Sequence, residues 1–225
     1  MSYLDTTHDV YKKAALTPDV GLCCTTNPIW ELPGLKIPKI MQEMNYGCGS
    51  TVHARDLSNN PKMLYVGVGG GMELLQFSYF NRQRGGVVGV DVVDEMLEAS
   101  AANFKIAEAQ NPWFKSEFVT LKKGDALNLP VDDNSIDVAA QNCLFNIFKA
   151  EDLKRAIEEM YRVLTPHGKL VMSDPTCEQQ MNDTLRNDAR LRALCLSGSL
   201  PIKDYVKALT DVGFGTIEIR ARKPR

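Results

Sequence analysis

The spacing of apolar residues changes near residue 60, and the change divides the chain in two. Before it, apolar positions recur at helical spacing only over 9–16, ahead of Pro18. Pro28, Pro33, Pro38 and the turn Gly47-Cys48-Gly49 then interrupt any regular element, since proline lacks the backbone donor and fixes φ. Residues 1–60 therefore read as an N-terminal cap that carries Cys23, Cys24 and Cys48, wraps over something else and has no core of its own. From Lys62 short apolar runs alternate with amphipathic stretches. Strands are predicted over 63–68, 86–91, 117–121, 135–141, 168–173 and 216–220, with helices starting near Met72 and spanning 93–110, 151–164 and 202–212. Met96, Leu97, Ala101, Phe104 and Ile106 supply one apolar helix face; Leu153, Ala156, Ile157, Met160 and Leu164 supply another. Strands alternating with helices predict a doubly wound, mostly parallel α/β domain over 61–225.

Composition narrows the picture mainly by exclusion. The chain has 225 residues, enough to bury a core without metal or disulfides, and a formal charge of only -2 with no long run of one sign. That is not the footprint of a nucleic-acid or anionic-membrane binder. No apolar run reaches membrane length and no signal-like leader is visible, so a cytoplasmic protein is expected. Six cysteines then point to a reducing compartment, where thiols stay free unless they do redox or metal chemistry. Cys23 and Cys24 are adjacent, the other cysteines stand alone, and His8, His53 and His167 are far apart. This spacing does not suit structural zinc.

The chemistry begins at Gly67-x-Gly69-x-Gly71, directly after the first predicted strand, where small residues let the backbone bend and approach a ligand. A dinucleotide fingerprint would place glycine or alanine at the sixth position, which is Met72 here. Asp91 ends the second predicted strand, where a carboxylate can accept from both hydroxyls of a ribose. Asp125 follows the third, placed to accept from an adenine amino group. No Arg or Lys cluster waits for a pyrophosphate, which suits a sulfonium cofactor. Asp91 as a helix N-cap and Asp125 as a turn former are the plainer alternatives.

Cys143 follows the fourth predicted strand on the same carboxyl edge, and Cys195 lies between the fifth strand and the next helix. Cys48 lies in the cap, over the open edge if the cap folds down. Three thiols meeting there would bind a soft, thiophilic acceptor. Packed cysteines are the ordinary alternative.

These segments resemble class I S-adenosylmethionine-dependent methyltransferases over about 63–173, including Gly124-Asp125-Ala126-Leu127-Asn128-Leu129-Pro130 and Arg162-Val163-Leu164-Thr165-Pro166-His167-Gly168. The resemblance implies a Rossmann-like sheet, S-adenosyl-L-methionine as cofactor, and Ala126 and Asn142 as further cofactor-binding residues. The acid often found two residues before the first glycine is Tyr65 here. More narrowly, Tyr46-Gly47-Cys48-Gly49, Gln141-Asn142-Cys143-x-x-Asn146, Cys195-Leu196-Ser197-Gly198 and the upstream Cys23-Cys24-Thr25 resemble the arsenite methyltransferases. That resemblance implies arsenite or methylarsenite as substrate, Cys48, Cys143 and Cys195 as arsenic-binding thiolates, and Cys24 or its neighbour Cys23 as the cysteine that closes a disulfide during turnover. A thiol reductant of glutathione or thioredoxin type would reopen it. It further implies arsenic detoxification or organoarsenical biosynthesis by a monomer.

Two departures stand out. Phe145, Ile147 and Phe148 make the segment after Cys143 more aromatic than the family pattern, which is expected to alter the acceptor pocket. The sequence stops at Arg225 where the family continues into a C-terminal domain, so a shortened form is expected. Methyl transfer to an ordinary O, N or C acceptor, and a non-catalytic thiol sensor of metalloids or redox state, remain as alternative functions.

Overall fold

The computed structural model describes residues 2–19, 21–22, 32–57 and 59–220. Its centre is a five-stranded parallel sheet: β1 (Met63–Val66), β2 (Val87–Asp91), β3 (Val119–Lys123), β4 (Ile136–Asn142) and β5 (Leu164–Ser173), in the order β3-β2-β1-β4-β5. β1 pairs β2 on one side and β4 on the other, so the strand order reverses at the carboxyl ends of β1 and β4. Open sheets of this kind hold their ligands at such a reversal. The sequence of β1, Met63-Leu64-Tyr65-Val66, is buried at every position, as a central strand covered on both faces must be.

Helices cover both faces: α3 (Met72–Phe80), α4 (Asp94–Gln110), α5 (Ala150–Val163) and α8 (Ile202–Val212), with α1 (Tyr3–Leu16) and the short α2 (Lys39–Glu43) in the cap. A two-stranded parallel pair, β6 (Thr176–Cys177) with β7 (Leu200–Pro201), brackets the short helices α6 (Asp183–Arg186) and α7 (Ala189–Ala193). On α5 Leu153, Ala156, Ile157, Met160 and Val163 form one buried stripe against the sheet. The doubly wound α/β expectation therefore stands.

Several boundaries and one element differ from expectation. α1 begins at Tyr3, well before the periodic stretch at 9–16, because Ser2 and Asp5 cap it reciprocally: Ser2 Oγ accepts from Asp5 N at 3.1 Å and Asp5 Oδ2 accepts from Ser2 N at 2.7 Å. The buried face of α4 runs through Met96, Ser100, Asn103, Phe104 and Ala107, while Ile106 is exposed. The strand expected over 216–220 does not form. Side chains dock that segment instead: Arg220 pairs with the buried Asp56, and Glu218 accepts from Arg55 at 2.7 Å.

The cap's apolar residues do not form a separate cluster. Ala14, Met41, Met44, Tyr46, Val52 and Leu57 share one with Tyr65, Leu75, Phe77 and Phe104 of the sheet layers. α1 lies against α4 and α7, and Asn111 holds the returning chain by accepting from Lys36 N and donating to Lys36 O.

Ile157 is fully buried between α5 and the sheet. Ile157→Ala is expected to cost about 2–5 kcal/mol, by lost transfer energy plus a cavity, read as a lower denaturation midpoint with an unchanged denaturant slope.

Candidate active site

The glycine turn is fixed from three directions. Its own strand neighbour supplies one: Asp91 Oδ2 accepts from Val68 N at 2.9 Å. α4 supplies the second: Ser100 Oγ donates to Gly69 O at 2.8 Å and Asn103 Nδ2 to Gly70 O at 3.0 Å. The cap supplies the third, with Met44 O accepting from Gly70 N at 3.3 Å. Gly67, Gly69 and Gly71 all have positive φ, at 84°, 52° and 85°, in the region that penalises a side chain. Gly71 has a second constraint: a Cβ there would press on the Phe104 ring at 2.9 Å, where α3 starts. Ser100 and Asn103 escape sequence reading because they are polar residues on an otherwise apolar helix face.

These residues fit S-adenosylmethionine. A Cβ built at Gly67 meets only Leu144 Cδ1, at 4.0 Å, so the backbone there borders open space that a ligand can approach. Asp91 is not the N-cap of α4, which is Val93. Its Oδ1 instead accepts from Val93 N at 2.9 Å, and each carboxylate oxygen keeps a lone pair for a ribose hydroxyl. Burial pushes this carboxyl up to about 6, against the pull of the backbone N–H groups of Val93 and Val68. Asp125 is exposed, and its Oδ1 accepts from Leu127 N at 2.9 Å, so one oxygen shapes its own turn. Ala126 beside it is buried against the sheet. The loop carrying both is held by Arg162, which donates to Val131 O at 2.9 Å and Leu129 O at 3.1 Å.

The three cysteines come together. Cys48 and Cys143 are joined as a disulfide with Cα atoms 6.0 Å apart, and the Cys195 thiol donates to Cys143 O at 2.8 Å. Tyr11 Oη of α1 lies 4.0 Å from Cys195 Sγ. Cys143 and Cys195 are buried, and both occupy the left-handed region, φ 61° and 57°. Non-glycine residues rarely do so, and such strained positions gather at functional sites. Among the described residues no group of three or more His, Cys, Asp or Glu is arranged to hold a metal ion, two of these sulfurs being bonded to each other. Cys23 and Cys24 lie outside the described residues. Cys177 is half-buried, donating to Ser199 O at 3.2 Å.

Asn142 does something its sequence position did not reveal. Its Oδ1 accepts from Cys48 N at 2.7 Å while its Nδ2 donates to Gly49 O at 2.9 Å, so one side-chain amide grips both sides of the Cys48 peptide unit. The contact demands the flanking glycines. A Cβ at Gly47 would collide with the Asn142 amide, and one at Gly49 with the Ser173 hydroxyl. Gln141 Oε1 accepts from Leu144 N at 2.8 Å and its Nε2 donates to Asp174, which ties the strained Cys143 turn to the end of β5. Burial raises the Asp174 carboxyl to about 7. Buried Arg192 donates to Phe148 O at 2.9 Å and Arg186 O at 2.7 Å, fixing the helix before Cys195 to the turn after Cys143. Phe145 and Phe148 bury themselves in the core beneath the sheet, and Ile147 packs against Cys143 and Cys195. The aromatic departure thus lies mostly in the core, and only Ile147 borders the thiols.

Ligand hydroxyls that donate to Asp91 favour its ionised form. Affinity for S-adenosylhomocysteine should then be full above the Asp91 titration and fall as pH drops through about 6. In Asp91→Asn calorimetry should find weaker binding without that step. Gly47→Ala should overpack the Asn142 contact and cost about 1–3 kcal/mol of stability, read in thermal unfolding.

Residues 64–172 match the methyltransferase domain family, a span that holds the glycine turn, Asp91, Asp125 and Cys143. The chain is 30% identical over 198 residues to an arsenite methyltransferase of Aquipseudomonas alcaligenes, covering 85% of this chain and 55% of that one. It is 27% identical over 177 residues to an arsenite methyltransferase of Halobacterium salinarum, covering 79% and 43%. Among solved structures, the arsenic(III) S-adenosylmethionine methyltransferase from Chlamydomonas reinhardtii is similar with a TM-score of 0.70 at 25% identity, over 79% of this chain and 58% of that one. The chain spans about half the length of the curated relatives it matches. Its parallel sheet, the wired glycine turn at the strand reversal and these relationships give residues 64–172 the Rossmann-like fold of a methyltransferase domain, in a chain that is similar to arsenite methyltransferases.

Proposed function

We propose that this protein methylates trivalent arsenic, as arsenite held by the thiolates of Cys48, Cys143 and Cys195 or as methylarsenite held by two of them. One observation carries the reading: cysteines from the cap, from the end of β4 and from the loop after α7 meet at the carboxyl edge beside the glycine turn. Cysteines that merely packed would not need two left-handed backbones and a dedicated amide clamp to reach one another.

The chemistry follows from the ligand set. Soft thiolates select a soft centre. Each As–S bond forms as a thiol proton leaves with an arsenic hydroxyl as water. Three such bonds for arsenite, or two for methylarsenite, exclude solvent and leave the arsenic lone pair as the nucleophile, so no general base is required. S-adenosylmethionine supplies an electrophilic methyl group on a sulfonium sulfur. Fixing the acceptor at the carboxyl edge, beside Gly67 and Asp91, contributes positioning, an effect worth up to about 7–11 kcal/mol. Methylation raises arsenic formally by two electrons. Two thiols can return them, releasing two protons and closing a disulfide, and a glutathione- or thioredoxin-type reductant then opens it by exchange. The Cys48–Cys143 bond corresponds to a site awaiting that reduction. Cys24, or Cys23, is proposed as the additional cysteine of the cycle.

No helix among the described residues is long and apolar enough to cross a membrane. We propose a cytoplasmic monomer that serves arsenic detoxification or organoarsenical biosynthesis.

Incubation with S-adenosylmethionine, arsenite and excess thiol, followed by arsenic speciation, should yield methylated arsenicals. Cys143→Ser and Cys195→Ser should abolish product, and Cys48→Ser should impair at least one methylation step. Wild-type rates in Cys143→Ser or Cys195→Ser would refute the ligand assignment.

A further inference from the structure

Glu73 is a buried carboxyl that has no basic side chain paired to it among the described residues. It sits in the first turn of α3, immediately behind the glycine turn, and only 4% of its surface is exposed. Its Oε1 accepts from Thr51 N at 3.0 Å and Thr51 Oγ1 at 2.7 Å; its Oε2 accepts from Tyr65 Oη and from Asn142 Nδ2 at 3.3 Å. Each of these donors is neutral. Burial and the neighbouring Glu73 carboxylate push the Tyr65 phenol well above its ordinary value, so it stays a donor. Among the described residues no lysine, arginine or histidine forms an ion pair with Glu73, although buried carboxylates ordinarily have one. The buried Asp56, by contrast, has Lys169 at 3.3 Å and Arg220.

The position of this carboxyl is informative. Tyr65 lies two residues before Gly67 on β1, and Asn142 ends β4, so Glu73 faces the point where β1 and β4 diverge. Asp91 marks the ribose side of the donor site, at the end of β2. The reacting methyl has to face the cysteines, which lie at the end of β4. The amino-acid arm of the donor is bonded to the same sulfur as that methyl. With the ribose toward β2 and the sulfur toward β4, this arm falls near Glu73, and its ammonium is a fixed cation.

We propose that Glu73 is the counter-charge for the α-ammonium of S-adenosylmethionine, a cofactor-binding role taken by a helix residue while Tyr65 fills the strand position beside it. This rests on the donor site described above and, for the direction in which the methyl faces, on the cysteines as the acceptor site of the proposed function. Glu73 also holds Thr51 of the cap, so the residue that receives the donor's amino-acid arm is one to which the closed cap is tied.

Calorimetry on the full chain tests the assignment with two ligands that differ only in whether the amino-acid arm is present. Glu73→Gln should weaken S-adenosylhomocysteine at least tenfold and change 5′-methylthioadenosine, which lacks the arm, by less than twofold. Equal losses for both would mean a merely structural role, and an unchanged S-adenosylhomocysteine affinity would exclude the contact; either overturns the proposal. Should Glu73→Gln not fold, wild type alone decides: S-adenosylhomocysteine stripped of its α-amino group should bind at least tenfold more weakly than the parent, and equal affinity refutes the ion pair. Failure of wild type to bind either nucleoside would remove the donor site and the proposal together, whereas loss of arsenic methylation with these affinities intact would bear only on the acceptor reading.

Discussion

The assembly of this site depends on the hydrogen bonds that the Asn142 amide makes with the Cys48 segment. Asn142 ends β4, a central strand whose register is fixed by β1 and β5, so its side chain is carried on rigid scaffold. Two amide bonds of about 0.5–1.5 kcal/mol each do not by themselves hold an arm of this length. Burial of Met41, Met44, Tyr46 and Val52, at roughly 1.5–3 kcal/mol per side chain, does most of that. The division of labour is clear in magnitude: apolar burial docks the cap but is indifferent to a shift of a residue, whereas the amide accepts only one register. Gly47 and Gly49 enforce it, because any Cβ at either would collide with the gripping side chains.

Strain at the cysteines is the other side of the same arrangement. A residue held in the left-handed region costs about 1–3 kcal/mol, and Cys143 and Cys195 are both there. Each has a specific restraint. The Cys143 turn is held by Gln141 through Leu144 N and backed by Asp174. Cys195 N bonds Arg192 O at 2.9 Å while the Arg192 guanidinium spans to Phe148 O. Arg192 is buried with neutral partners, and desolvation lowers its pKa, so a buried cation is committed to holding two loop carbonyls. Such outlay of stability is usual where geometry serves a ligand rather than the fold.

Much of the scaffold was legible in the sequence because its signals are local. β1, β2 and β4 announce themselves as short apolar runs and α5 as a stripe of period 3.6, and each formed within a few residues of its expected place. The failures have physical causes. Ile217 and Ile219 alternate with polar residues like a strand, yet the segment is docked through Arg220 and Glu218. Ser100, Asn103 and Glu73 carry no periodic signal, since a polar residue on a helix reads as solvated unless the fold brings a carbonyl or a loop against it. Asn142 was visible as a neighbour of Cys143, but its grip on Cys48 is a contact between positions 94 residues apart, and no local pattern encodes that.

Besides the Asn142 grip, the cap reaches the site through Cys48 on Cys143, Thr51 on Glu73, Met44 O on Gly70 N, and Tyr11 beside Cys195. The cap is therefore part of the wall of the site. Cys143 and Cys195 are also held from the scaffold side: Cys143 N bonds Ser173 O, Gln141 backs the turn that follows, and Cys195 N bonds Arg192 O. In the proposed function the thiol set therefore has two members on the scaffold and one, Cys48, on the covering segment. Thr51 of the same segment bonds the Glu73 carboxyl beside the glycine turn, to which Asn142 of β4 also donates. The Asn142 amide is the point where both halves meet, with Cys48 on one side and Glu73 on the other.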